Sequence, residues 1–147
     1  GTQEQAQGFE AVYLLIVRDF KSACDLFVSA IPTFNAPEVM GYDELIFYVV
    51  LTGIIFLSRS DIKKKIIESP EANVQLNKAT DLNEYLMSFY NCNYKRLFEK
   101  LGSVVLTSVW VMEAVKNDKY LKHHYRYFMR ETRIVIYSQF LESYKTV

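Results

Sequence analysis

The chain is poor in whatever breaks, cross-links or strongly charges a polypeptide. It holds five glycines that never stand side by side, three prolines with none beyond Pro70, and two cysteines. Isolated glycines exclude a glycine-rich phosphate cradle and a Gly-x-Ser-x-Gly elbow of the usual form. They also leave few of the glycine-containing turns that join hairpin strands. Cys24 and Cys92 stand far apart with no Cys-x-x-Cys pair, which fits buried free thiols in a reducing compartment better than a disulfide scaffold. Seventeen Lys and Arg balance seventeen Asp and Glu, so the global positive charge that draws many proteins to phosphate backbones is missing. The longest apolar run, Leu45 to Leu57, has 13 residues, short of the roughly 20 that a helix needs to cross a bilayer. The opening "GTQEQAQ" has neither the basic start nor the apolar stretch of a secretory leader.

What is present is helix. Phe9, Val12, Tyr13, Ile16 and Val17 follow i, i+3, i+4, i+7, i+8 spacing, which predicts one helix ending near Val17 with that face buried. Asp19 is a good N-cap for a second helix from Phe20, carrying Ala23, Phe27 and Ala30 on one side and stopped by Pro32 and the loop "PTFNAPEVMGY". Small Ala23 one turn before Phe27 suits two closely approaching antiparallel helices. The grammar recurs. "SRSD" separates "YDELIFYVVLTGIIFL" from "IKKKIIES", with a new start expected at Asp61-Ile62, and "YNCN" separates "DLNEYLMSFY" from "YKRLFEKL". Tyr94, Leu97 and Leu101 repeat the spacing of Phe20, Ala23 and Phe27, whereas Lys65 falls where the middle unit should have a small residue. The repeat is degenerate. Residues 80 to 145 read as nearly continuous helix with breaks near Asn91 to Asn93 and Asn117-Asp118. The expected fold is all-α: a single domain over residues 1–147 of stacked antiparallel helical hairpins, a right-handed repeat of tetratricopeptide type.

Residues able to do chemistry do not converge in the pattern. Adjacent His123 and His124 would point about 100° apart on a helix and cannot share a metal as an i, i+4 pair would. Asp43, Asp61 and Asp81 sit at or just before expected helix starts, where capping and the helix dipole account for them. Lys63, Lys64 and Lys65 read as a solvated face. Catalytic residues, cofactor-binding residues and metal ligands are therefore all expected to be none.

The most unusual stretch is "HHYRYFMRETRIVIYSQFLESY", His123 to Tyr144, apolar on almost every side. One stripe holds Tyr125, Phe128, Thr132, Val135 and Gln139. Another holds Tyr127, Ile134, Tyr137, Leu141 and Tyr144, with Arg126, Arg130 and Arg133 between. Such a helix is either central to its domain or covered by another part. Arginines in a tyrosine-rich helix suggest bridges to neighbouring helices. The basic-aromatic mixture also suits single-stranded nucleic acid, but nucleic acid is the weaker expectation. Trp110, Arg126, Arg130, Arg133, Tyr137 and Tyr144 are the candidate partner contacts, an exposed Trp being a common interface anchor.

"RDFKSACDLFVSAIPTF", "YLMSFYNCNYKRLF" and "HYRYFMRETRIVIYSQFLESYKTV" resemble the PCI family, whose members are subunits of the proteasome lid, the signalosome and initiation-factor complexes; the lid branch is the nearest. The resemblance runs from about residue 9 to the end. It implies helical hairpins that lead into a winged-helix subdomain, absent here, which would cover the far face of the last helix. It implies a non-catalytic scaffold in ubiquitin-dependent degradation, in cytoplasm and nucleus, with other lid and base subunits of the proteasome as partners and no membrane. The equivalent signalosome subunit, or an RNA-binding PCI protein, would be the alternatives. The stretch "LGSVVLTSVWVMEAVKNDKYLK" is longer than the family pattern by roughly two turns, as either a longer helix or an added loop.

Overall fold

The structure, a computed structural model, describes the backbone of residues 2–91 and 97–145. It is all-α, as the periodicity requires, with no strand among the described residues. The chain falls into two compact units, Gly1–Ala79 and Thr80–Val147.

The first unit opens with α1 (Thr2–Ile16) and α2 (Phe20–Ala30). Asp19 caps α2, its carboxylate accepting from the Ser22 N–H at 3.3 Å. The preceding "VRD" closes α1 with the reciprocal pair of bonds of a Schellman end: Asp19 N–H donates to Leu14 C=O at 2.9 Å and Arg18 N–H to Leu15 C=O at 3.2 Å. That geometry places Arg18 at φ 68°, the left-handed region normally given to glycine. One short polar segment thus both ends a helix and starts the next.

The face α1 buries is not the one its strongest periodicity marks. Phe9 and Tyr13 are each 61% exposed, and Ile16 and Val17 are exposed too, while Gly8, Ala11 and Leu15 are buried. The reason is distance of approach. A Cβ at Gly8 would meet the Val39 side chain at 3.2–3.3 Å, and Ala11 and Ala23 are small and fully covered, so the helices close on their small residues. Bulky Phe9 and Tyr13 could not occupy that seam.

α3 (Tyr42–Phe56) is the central rod, buried from Leu45 to Ile54 apart from half-covered Phe47. Phe27 of α2 meets Tyr48 of α3 with ring centroids 5.4 Å apart, and the Tyr42 hydroxyl donates to Ile31 C=O at 2.8 Å across the α2 end. The buried Thr52 hydroxyl bonds back to Tyr48 C=O at 2.6 Å, which satisfies a polar group that would otherwise be costly to bury. Cys24 is a buried free thiol, its pKa raised by burial and partly lowered by the Thr52 hydroxyl.

After α3 the new start falls earlier than expected. Leu57 and Ser58 are both extended, and Ser58, not Asp61, is the N-cap of α4 (Arg59–Ile62), accepting from Asp61 N–H at 3.2 Å. Asp61 lies inside the first turn. A single π-helical turn, Lys63–Ile67, follows, and it swings Ile66 into the core where Gly53 leaves room; a Cβ there would stand 3.1 Å from Ile66. Lys63, Lys64 and Lys65 are exposed, with Lys63 3.9 Å from Glu68. Helix α5 (Pro70–Lys78) has no counterpart in the sequence reading, although Ser69-Pro70 announces it: the Ser69 hydroxyl accepts from Ala72 N–H at 3.3 Å and Pro70 needs no partner at the first position. Ala72 and Leu76 bury its inner face.

Arg18→Gly should stabilise this unit by about 0.5–1 kcal/mol, because it removes the left-handed strain at some cost in chain entropy. Urea unfolding of the two proteins measures it, and a midpoint that falls in the glycine variant contradicts it.

Candidate interaction surface

The second unit consists of α6 (Thr80–Tyr90), α7 (Leu97–Asn117) and α8 (Tyr125–Lys145). The "YNCN" turn from Cys92 onward lies outside the described residues. α7 runs unbroken through the whole of "LGSVVLTSVWVMEAVKN", so that stretch is helix and not loop. Asp118 ends it: its carboxylate accepts from the N–H groups of Tyr120 at 2.9 Å and Leu121 at 3.0 Å, an Asx turn that reverses the chain. Buried Leu121 anchors the turn, and a 3₁₀ turn, Lys122–His124, leads into α8. His123 is exposed there, and among the described residues no three His, Cys, Asp or Glu side chains gather as metal ligands.

α8 resolves the choice its sequence posed. Phe128 and Thr132 are buried, Tyr125, Val135 and Gln139 half-buried along the same stripe. Gln139 Nε2 donates to the Phe89 C=O at 3.3 Å, near the end of α6. Phe89 in turn packs edge-on against Tyr85, centroids 5.0 Å apart. The opposite stripe is open: Ile134, Tyr137 and Leu141 are 48%, 60% and 61% exposed. α8 is therefore not a central helix of its unit.

Inside this unit the Tyr85 hydroxyl is enclosed, and its nearest polar company is the Thr132 hydroxyl; neither has a well-formed hydrogen bond. Burial pushes the Tyr85 pKa up to about 12, and Thr132 holds it back slightly.

The outward faces collect most of the candidate contacts. Arg126, Arg130, Arg133 and Tyr137 lie on one sector of α8 together with Ile134 and Leu141. Trp110 is 62% exposed on α7, beside exposed Leu106 and Val109. The Tyr144 side chain lies outside the described residues. Arg130 does not bridge to another helix as expected: it stands 3.6 Å from Glu131 and 5.7 Å from the Tyr127 ring centroid, both on its own helix, because its sector faces away from α7. Between α7 and α8 runs an open groove of about 330 Å³ with Val105, Val109, Met112, Met129 and Ile136 on its walls and Arg133 and Glu113 at its edges. No motif marked those groove residues. Apolar residues all round α7 were the available signal, and only packing shows which remain uncovered. A second groove of about 480 Å³, in the first unit, is edged by Asp25, Lys65 and Glu71.

Antiparallel helices joined by capped turns, with apolar residues left on outward faces, define an all-helical protein built from hairpins. Sequence comparison is more specific. Residues 3–65 match the family model described as 26S proteasome subunit RPN7. The chain is 44% identical over 139 residues to the 26S proteasome non-ATPase regulatory subunit 6 of Oryza sativa subsp. japonica, covering 95% of this chain and 34% of that protein. It is 33% identical over 148 residues to the 26S proteasome regulatory subunit rpn7 of Schizosaccharomyces pombe, covering 99% and 36%, and 32% identical to RPN7 of Saccharomyces cerevisiae, covering 95% and 32%. By these matches the chain is similar to regulatory subunits of the 26S proteasome along nearly all of its length, as the resemblance implied. It spans about a third of the length of these relatives. Among the described residues no helix is long and apolar enough to cross a membrane.

The raised Tyr85 pKa predicts an alkaline transition. A neutral phenol is favoured in the folded state, so this contribution to stability is complete below the ordinary tyrosine pKa near 10 and disappears as pH climbs to about 12. Unfolding free energy measured from pH 8 to 12 should fall more steeply in the unmodified protein than in Tyr85→Phe; parallel profiles would contradict the assignment. Tyr85→Phe combined with Thr132→Val should leave stability at pH 7 within about 1 kcal/mol, because both hydroxyls vanish together.

Proposed function

We propose that the chain is part of a non-catalytic scaffold subunit in the lid of the 26S proteasome regulatory particle, supporting lid assembly and so ubiquitin-dependent degradation in cytoplasm and nucleus. The observation that carries the reading is similarity to proteasome regulatory subunits across almost the whole chain. The uncovered apolar and arginine-bearing faces of α7 and α8 support a role in contacts rather than in chemistry. The partners are other lid and base subunits, and a winged-helix subdomain of the same polypeptide. Reading residues 1–147 as one helical-repeat domain belongs with this proposal. The relatives compared are all proteasome subunits, which gives the signalosome alternative no support.

The test uses the longer native protein. Affinity-tagged and expressed in cells, it should co-migrate with intact lid on native gels and yield lid subunits by mass spectrometry. Trp110→Ala with Tyr137→Ala should reduce that recovery severalfold while leaving the thermal unfolding of the purified protein within about 2 °C, since both side chains are exposed. A full-length protein that never enters the lid defeats the reading.

A further inference from the structure

We propose that the basic run from Lys116 to Arg133, which rounds the end of α7 and continues along the outer side of α8, docks a carboxylate-rich segment of a partner protein. This deepens the scaffold reading and rests on it in one respect, that this face meets another protein. The chain as a whole is neutral, yet these 18 residues hold six Lys and Arg against two carboxylates. Both carboxylates are engaged: Asp118 accepts from the N–H groups of Tyr120 and Leu121 in the turn, and Glu131 stands 3.6 Å from Arg130. Lys116, Lys119, Lys122, Arg126, Arg130 and Arg133 are all exposed. The three arginines fall within about 60° of the α8 circumference and span about 10 Å of its length. Among the described residues neither Arg126 nor Arg133 has a carboxylate at ion-pair distance; Glu113, which lines the same groove as Arg133, does not come that close. A surplus of exposed cations selects an anion by its sign, and guanidinium groups take carboxylates through paired hydrogen bonds. Ile134, Tyr137 and Leu141 are exposed along the same sector, so the surface combines cations with apolar anchors and asks for carboxylates interspersed with apolar side chains. A nucleic acid strand fits less well. It would leave Ile134 and Leu141 unmatched, the Tyr127 ring already lies 5.7 Å from the Arg130 guanidinium, and the neutral chain has no net charge to draw phosphate from a distance.

The probe is a fluorescein-labelled synthetic peptide of Glu residues interspersed with Leu, compared with a twin carrying Gln for every Glu. Fluorescence anisotropy with the 147-residue chain should show the Glu peptide binding about tenfold tighter at low ionic strength, with the margin shrinking in salt. Arg126→Gln with Arg133→Gln should cut that margin by about threefold or more, whereas Lys63→Gln with Lys64→Gln, which neutralises part of the other exposed basic run, should leave it within about twofold. Circular dichroism confirms that each variant keeps its helix content. Ile134→Ser with Leu141→Ser should weaken both peptides. Equal affinity for the twins overturns the proposal, as does a lysine variant that loses as much as the arginine variant, or an oligo(U) strand of equal charge that displaces the Glu peptide at lower concentration than unlabelled peptide does. Binding to the 147-residue chain but not to the full-length protein assigns the basic run to a segment of the same polypeptide and overturns the partner assignment. Lid incorporation is read separately: a full-length protein that enters the lid but binds the twins equally defeats this inference alone, and one that prefers the Glu peptide but stays outside the lid defeats only the scaffold reading.

Discussion

Close approach of helices through small residues is the constraint on which the first unit depends. Ala11 and Ala23 at the α1–α2 seam, Gly8 beneath Val39 and Gly53 beneath Ile66 let backbones come near enough for Leu15, Phe27, Tyr48 and Ile66 to be wholly covered. Dispersion and the removal of apolar surface from water both depend on that contact distance. A Cβ at Gly8 would press on the Val39 side chain and one at Gly53 on Ile66 and Leu57, each of which would have to give by a few tenths of an ångström. α3, buried on nearly every side, can be a core rod only because its neighbours approach this closely.

The second unit solves the same problem with larger residues and pays in polarity. α8 uses Phe128, Thr132 and Gln139 to meet α6 and α7, so a tyrosine hydroxyl, a threonine hydroxyl and a glutamine amide enter the interior. Gln139 finds a carbonyl near the α6 terminus. Tyr85 and Thr132 have chiefly one another. Such contacts contribute little net stability, yet they discriminate between registers of α8, because a shift of one turn would leave each group facing apolar surface.

The proposed scaffold role would draw on what these seams leave uncovered. Helices thin enough to bury one face must present another, and where that face is apolar it asks for company. In this protein the outward residues of α7 and α8 mix Val, Leu, Trp, Ile and Tyr with arginine, a composition suited to protein contacts in which aromatic and arginine side chains anchor the interface. Similarity to proteasome regulatory subunits is what the proposed role of that surface rests on.

Helix content, capping residues and most boundaries were legible in the sequence because they are local. Asp19 before Phe20, the break at Asn117-Asp118 and the length of α3 each depend on a few neighbouring residues. The two apolar rows of α8 could be separated by angle, but which of them stays open was shown only by the structure. The starts of α4 at Ser58 and of α5 at Pro70 carry local capping signals that were passed over, whereas the buried face of α1 and the groove between α7 and α8 were decided only by tertiary structure. Periodicity reports that a helix has an apolar side, but it cannot say whether another helix arrives there. Phe9 and Tyr13 form the stronger stripe and stay in water, while Gly8, Ala11 and Leu15 go inside because steric approach, settled by partners distant in sequence, outweighs the hydrophobicity of any one face.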